Sequence, residues 1–152
     1  MKISLDFVKT LLNLRKRGAD KLRIILAVYC LGFLVGTVTH ITDMAQNGFL
    51  GYRSCPLLIN LFWTSLAILD PLAVALILLS PLTGIVLAVG IMLSDLAVNF
   101  SVGISEWVRT GHFTFWPLYF QAPFGIFVFT TAGYTARRAK KLIHCNSEQK
   151  RD

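Results

Sequence analysis

Two carboxyl groups, those of Asp70 and Asp95, lie in the middle of long apolar stretches of this 152-residue chain. On insertion scales, an aspartate at the centre of a membrane helix costs about 2.5–3.5 kcal/mol. Such a group therefore faces the protein interior or a water-filled cavity, carries a proton, or pairs with a positive charge. Because neither stretch contains Lys or Arg, we expect these acids to serve a cationic ligand, an ion or a proton.

Other polar side chains recur at helical spacing near these acids. Asn99 follows Asp95 by four residues, which places both on one face of a helix. If such faces converge, they form a pocket open toward the outer side of the membrane, with Asp70 at its floor and Trp63 in its wall. The predicted ligand-binding residues are Asp95, Asp70, Asn99, His40, Asp43, Asn60, Trp63 and Gln121.

Five of these residues also have a structural interpretation. Asp70 precedes Pro71, and a proline interrupts the helical ladder, so the carboxylate could cap a helix that restarts there. Asn60, Asn99 and Gln121 could instead form hydrogen bonds between helices. His40 could be an ordinary residue of the membrane interface.

The composition indicates what kind of elements position these residues. The chain is 55% hydrophobic and 15% charged, whereas soluble domains average about 45–50% apolar and about 25% charged residues. Continuous apolar runs of about 20 residues match a hydrocarbon core of about 30 Å. We predict an all-α, four-helix transmembrane bundle. Its spans are expected at about 22–41, 57–79, 82–102 and 113–134, within a bundle at 22–135 that follows an amphipathic interfacial helix at 1–21 and precedes a basic tail at 136–152.

The distribution of basic residues predicts the orientation. Thirteen of the fifteen Lys and Arg residues lie in the first 23 or the last 16 positions, which is the positive-inside pattern. We therefore expect both termini in the cytoplasm, external loops at 44–56 and 103–112, and insertion in a bacterial inner membrane. The net charge of +7 is explained by contact with anionic lipid, without a nucleic-acid partner.

Several chemistries find no support in the sequence. Cys30, Cys55 and Cys145 fall in different compartments of the predicted topology and form no Cys-x-x-Cys motif. Neither a phosphate-binding glycine loop nor a hydrolase or metalloprotease motif occurs. We predict no metal and no cofactor. Gly32 and Gly36 form a Gly-x-x-x-Gly pair that could pack a helix of the same bundle or of a second copy.

A resemblance rests on five short motifs: His40-x-x-Asp43, Asn60-x-x-Trp63, Leu69-Asp70-Pro71-Leu72-Ala73, Asp95-x-x-x-Asn99 and Gln121-x-Pro123-Phe124. Over about residues 22–135 the chain resembles a group of small four-span membrane proteins from bacteria. It is also similar to the EXPERA group, which includes sterol isomerase and the sigma-2 receptor. That resemblance implies a site for a lipophilic amine or sterol, with Asp43 and Asp70 facing the ligand and Asp95 or Asn99 supporting them. An aspartate at position 70, where a longer glutamate is typical, argues against sterol-isomerase chemistry.

The leading hypothesis is a protein that binds a small lipophilic or cationic molecule in an outward-facing cavity, with Asp95 and Asp70 as anionic partners. A proton- or cation-coupled transporter built as an oligomer is an alternative. A third is a non-catalytic subunit whose acids pair with basic residues of another membrane protein. The sequence favours binding over catalysis, since it does not place an acid and a base around one substrate carbon, and it leaves open a homodimer or a membrane-complex partner.

Overall fold

A computed structural model describes residues 17–52, 55–112 and 116–148, and the described residues form four α-helices. We number the helices in chain order. They are α1 (Arg17–Asn47), α2 (Leu57–Leu79), α3 (Pro81–Thr110) and α4 (Trp116–Glu148). The described residues contain no strand, so the prediction of an all-α fold is confirmed. The amphipathic helix predicted at 1–21 lies mostly outside the described residues, and 17–21 belong to α1.

The helices pack as a closed ring. Each contacts its neighbours in the order α1, α2, α3, α4, and α4 returns to contact α1. An interior lined by four helices results, to which every helix contributes one face. This arrangement confirms the predicted four-helix bundle.

Three of the described helices are long and apolar enough to cross a membrane, by length and composition: Asp20–Asn47, Leu57–Leu79 and Pro81–Thr110. Their exposed large apolar side chains are typical of surfaces that meet lipid. These features indicate a membrane protein. Helix α4 is long enough, but Pro117, Gln121 and Pro123 make its first half less apolar and basic residues follow in its second half. Its crossing stays a prediction.

Three helices extend beyond the spans predicted for them, and α1 continues to Asn47. The loop expected at 103–112 is helical as far as Thr110, and Gly111 ends α3 with a positive φ of 75°, a conformation that glycine adopts without strain. Likewise, α4 continues through the basic tail to Glu148. Hydropathy marks where a helix can leave the lipid, and it does not mark where the helical hydrogen bonds stop.

The reversal between α2 and α3 is very tight. Ser80 lies between the two helices, and its backbone N–H donates to the Leu76 carbonyl at 2.7 Å. One turn into α3, a Cβ on Gly84 would clash with the backbone of Ile77. Glycine at this position therefore lets the two backbones touch, which fixes the hairpin that the sequence predicted here.

One half of the bundle has a solid core. It comprises α1 up to Tyr29, α2 from Ala73, α3 up to Ala88 and α4 from Val128. Among the described residues of this region, the buried side chains are apolar apart from Tyr29 and Thr135. The Tyr29 hydroxyl donates to the Val128 carbonyl at 2.8 Å and lies 2.9 Å from the Thr131 hydroxyl, which joins α1 to α4. We call this region the packed half; its core includes Leu22, Leu26, Tyr29, Ala73, Ile77, Ile85, Ala88, Val128 and Ala139.

Candidate functional site

The other half of the bundle contains a cavity of about 690 Å³. It lies where α1 and α3 end and α2 and α4 begin, and we call this region the cavity half. All four helices line the cavity, as does the loop that joins α1 to α2. Apolar walls come from Phe33, Ile91, Met92 and Phe124. The polar lining residues are Thr39, His40, Asp43, Tyr52, Trp63, Asp70, Asp95, Asn99 and Gln121.

A hydrogen-bond network around Asp95 connects three helices. The Asn99 amide donates to Asp95 Oδ1 at 3.1 Å and also to the side-chain oxygen of Gln121 on α4. The Gln121 amide in turn donates to Asp95 Oδ2. On α2, the Trp63 indole N–H donates to Asn99 Oδ1 at 3.0 Å, which orients the Asn99 amide toward Asp95. Both oxygens of Asp95 are therefore engaged by protein donors.

A second set of polar contacts lies at the loop end of the cavity. The Tyr52 hydroxyl donates to Asp43 Oδ2 at 2.6 Å, and His40 Nδ1 lies 3.4 Å from the same hydroxyl. Burial, with the nearby Asp43 carboxylate, raises the pKa of Tyr52 well above its usual value, so the phenol keeps its proton and can donate it. The rings of Tyr52 and Trp63 meet edge to face with centroids 4.9 Å apart, which brings this set against the Asp95 network.

Asp70 differs from the other two acids of the cavity. It is only 4% exposed, and no described residue donates a hydrogen bond to its side chain. Its Oδ2 atom lies so close to Gly36 of α1 that a Cβ there would clash with it, so the absence of a side chain at Gly36 makes room for the carboxylate. Helix α2 continues unbroken through Pro71. Asp70 therefore has no helix N-terminus to cap, and that structural interpretation is wrong.

The Gly-x-x-x-Gly pair of α1 packs inside the bundle. Gly32 lies against the ring of Phe124 on α4, while Gly36 lies against Asp70 on α2. The Phe33 and Phe124 rings also meet edge to face, with centroids 5.5 Å apart. One face of α1 thus approaches two different helices closely at the inner end of the cavity.

The structure brings seven of the eight predicted site residues to the cavity lining. Asn60 is the exception. It is buried, donates to the Leu50 carbonyl at 2.9 Å and takes part in a contact with the Thr64 hydroxyl. Its place beside the loop fits the hydrogen-bonding role that the sequence left open. The residues that line the cavity are Asp95, Asp70, Asn99, His40, Asp43, Trp63 and Gln121.

Comparisons with known proteins give no identification. No family model matches the chain. Searches of curated proteins and of solved structures also find no match.

Tyr52 lines the cavity, although it is not among the predicted site residues. The chain reverses after α1 through Gly48, with φ of 84°, and Leu50, with φ of 58°. This turn returns Tyr52 to Asp43, nine positions earlier. Asn47-Gly48 and Gly51 signal a turn in the sequence, but they do not say which side chain the turn directs inward.

The cavity lining is rich in acids. Asp43, Asp70 and Asp95 line it, while none of the described residues in the lining is Lys or Arg. Among the described residues, no group of three His, Cys, Asp or Glu side chains is placed to hold a metal ion. In a low-dielectric interior an unpaired carboxylate is costly. The acids of the cavity therefore need a proton or a positive charge to compensate them.

Proposed function

We propose that the protein binds a small lipophilic molecule with one positive charge, such as a long-chain amine, in the cavity between its four helices. One observation carries this proposal: among the described residues, three carboxyl groups and neither Lys nor Arg line a cavity whose walls are otherwise largely apolar. An ammonium group would satisfy carboxylates that no described Lys or Arg meets in the cavity, and a hydrocarbon chain would fill the apolar part.

The size of the cavity supports a ligand of this class. Its volume of about 690 Å³ lies within the range of about 300–1,000 Å³ that is usual for small-molecule sites. The resemblance to the EXPERA group suggests the same ligand chemistry, a lipophilic amine held against acids within the membrane. It would make Asp43 and Asp70 the ligand-facing acids, and both line the cavity.

The packed half favours a binding protein over a conduit. At the end opposite the cavity, Tyr29, Ile77, Ile85 and Val128 are buried in a closed core. In a single copy this core separates the cavity from the other end of the bundle. A transporter would need an oligomer or a second conformation to continue the path, whereas a binding site needs neither.

We further propose four membrane crossings in a bacterial inner membrane, with both termini in the cytoplasm and the cavity on the outer side. Basic residues support this orientation, since Lys21 and Arg23 begin α1 and Arg137, Arg138, Lys140 and Lys141 end the apolar part of α4. Both groups belong to the packed half, and positive charge favours the cytoplasmic side.

Cysteine labelling tests this orientation. In a chain with Cys30, Cys55 and Cys145 changed to alanine, single cysteines replace the exposed residues His112 and Lys140. A membrane-impermeant maleimide applied to intact spheroplasts should label His112→Cys, and it should label Lys140→Cys only after permeabilisation. The reverse pattern would invert the proposed topology, and labelling of both sites from outside would remove the fourth crossing.

The binding proposal is tested with two probes of equal chain length, dodecylamine and dodecanol, on protein in lipid nanodiscs. The amine should raise the midpoint of thermal unfolding much more than the alcohol, because only the amine is charged and binding to the folded state stabilises it. The double variant Asp70→Asn/Asp95→Asn should lose this difference.

A matched control is the double variant Asp20→Asn/Glu106→Gln. It removes two negative charges at sites outside the cavity lining, where both side chains are substantially exposed. This variant should respond to the amine as the native protein does. Equal responses to amine and alcohol in the native protein would refute the proposed function.

A further inference from the structure

The two deeply buried acids of the cavity differ in the hydrogen bonds that they accept. Asp95 is 5% exposed and Asp70 is 4% exposed, so burial does not distinguish them. Asp95 accepts from the Asn99 amide at one oxygen and from the Gln121 amide at the other. Asp70 accepts a hydrogen bond from no described residue, although it lines the same cavity.

The donors around Asp95 are themselves committed. The Asn99 amide is shared between Asp95 and Gln121, and the oxygen of Asn99 is occupied by the Trp63 indole. These donors, which connect α2, α3 and α4, stabilise the charge of Asp95 within the protein, because hydrogen bonds to a charged acceptor are about twice as strong as neutral ones. A ligand cation would therefore gain less at Asp95 than at an acid that no described donor contacts.

The surroundings of Asp70 supply no such donors. The carboxylate itself fills the space beside Gly36 on the α1 side, and Phe33, Met92 and Phe124 line the same cavity without offering a side-chain donor. The other titratable side chains of the lining are His40 and Asp43 on α1, Asp95 on α3 and Tyr52 in the loop. Tyr52 already donates to Asp43. Asp70 is thus the buried acid for which no described residue supplies a hydrogen-bond donor.

We infer that Asp70 forms the ion pair with the ligand's ammonium group, whereas Asp95 is a positioning residue that holds the cavity walls together. This assignment rests on the proposed function, and it gives Asp70 and Asp95 different roles in the same site. It also identifies Gly36 as a residue that determines specificity, because only glycine there leaves the Asp70 carboxylate in its place.

Single variants and the same two probes test the assignment. Dissociation constants for dodecylamine and dodecanol are measured on nanodisc-embedded protein, and the ratio of the two gives the preference for a cation. Asp70→Asn should reduce this preference by roughly 30-fold or more, because it removes one partner of a buried charge pair. Its affinity for the alcohol should remain. Asp70→Glu keeps the charge and should retain most of the preference.

Asp95→Asn should behave differently. It disturbs the network that Asn99 and Gln121 form with the carboxylate, so the empty protein should unfold at a lower temperature. The affinities for dodecylamine and dodecanol should fall by similar factors. The ratio of the two dissociation constants should therefore change by less than about threefold, because the ammonium group of the ligand keeps its partner Asp70. A merely structural role for Asp70 would not reduce the ratio while sparing the alcohol.

Gly36→Ala provides an independent test in which both acids are intact. The added Cβ displaces the Asp70 carboxylate, so the affinity for the amine should fall by roughly tenfold while that for the alcohol changes little. Gly90→Ala is the matched control, since a Cβ there meets no atom within 4 Å, and its ratio should equal that of the native protein.

The outcomes separate the assignment from the proposed function. A native protein without preference for the amine would refute the proposed function. A native preference that Asp95→Asn abolishes and Asp70→Asn retains would overturn the assignment while the function stands. A preference that survives Asp70→Asn and Gly36→Ala would also overturn it.

Discussion

The packed half and the cavity half are built from the same four helices, yet they are held together in different ways. In the packed half, apolar side chains such as Leu22, Ile77 and Ala139 fill the space between the helices. In the cavity half, the side chains of Asp95, Asn99 and Gln121 connect the helices through hydrogen bonds around an open space.

This difference separates stability from binding. A solid core in a membrane helix bundle depends on close van der Waals contact, and it tolerates little change in volume. In the cavity half the helices must stay apart so that the cavity remains open. Hydrogen bonds between their side chains hold the helices at a defined separation. The packed half can therefore support the fold while the cavity half remains open for a ligand.

The largest effect is expected from Asn99→Leu. This change removes the partner of the Trp63 indole and one donor to Asp95, and each buried polar group left unpaired costs about 1–3 kcal/mol. The free energy of unfolding in sodium dodecyl sulfate should fall accordingly. Ser94→Leu is the control, because Ser94 is exposed on the same helix, and it should have little effect. Equal effects would show that polar contacts do not hold the cavity half.

A comparable loss is expected in the packed half from Gly84→Ala. The new Cβ would clash with the backbone of Ile77, and overpacking typically costs about 1–3 kcal/mol. Gly90→Ala on the same helix has open space around it and should be neutral or slightly stabilising. Unfolding in the same detergent measures both. If the two alanines behave alike, the tight contact between α2 and α3 does not contribute to stability.

Tyr29→Phe tests the polar contact within the packed half. It removes the hydroxyl that bonds the Val128 carbonyl and meets Thr131, while the ring and its contact with Phe127 remain. A single hydrogen bond contributes about 0.5–1.5 kcal/mol. We expect a loss in that range, smaller than that of Asn99→Leu, with dodecylamine affinity unchanged. A larger loss than that of Asn99→Leu would reverse the contrast between the halves.

The smallest effect on global stability is expected from Tyr52→Phe. Its hydroxyl joins the loop to Asp43 at the half-exposed end of the cavity, so the loss should be about 0.5 kcal/mol. Hydrogen exchange should nevertheless accelerate at residues 48–52, because the loop loses this contact to α1. Unchanged exchange there would show that the contact of Asn60 with the Leu50 carbonyl holds the loop on its own.

The sequence predicted the fold well because long apolar runs leave few alternatives. The second helix begins and ends at the predicted residues, and the tight turn at Ser80-Pro81 occurs where expected. The sequence also predicted that Asp70, Asp95, Asn99 and Gln121 face one interior, since residues four apart share a helix face. The depth of a residue in a span and the helix face on which it lies do not depend on the path of the loops, so these residues could be predicted.

Other features depend on contacts that periodicity does not encode. Asn60 has the phase of a cavity residue, but the Leu50 carbonyl lies beside it because of the path that the loop takes. Tyr52 reaches the cavity through the same loop. Nor could the sequence show that Asp70 and Asp95 differ, since their hydrogen-bond donors come from different helices and depend on how these helices are rotated in the bundle.

Trp63 provides an optical signal from within the cavity. Its indole is 7% exposed and its N–H donates to Asn99, whereas Trp107 is 53% exposed. Changing Trp107 and Trp116 to phenylalanine would leave one of the three tryptophans as the sole source of fluorescence. The emission of that residue would then respond to the filling of the cavity and to the state of the Asp95 network, without any label attached to the protein.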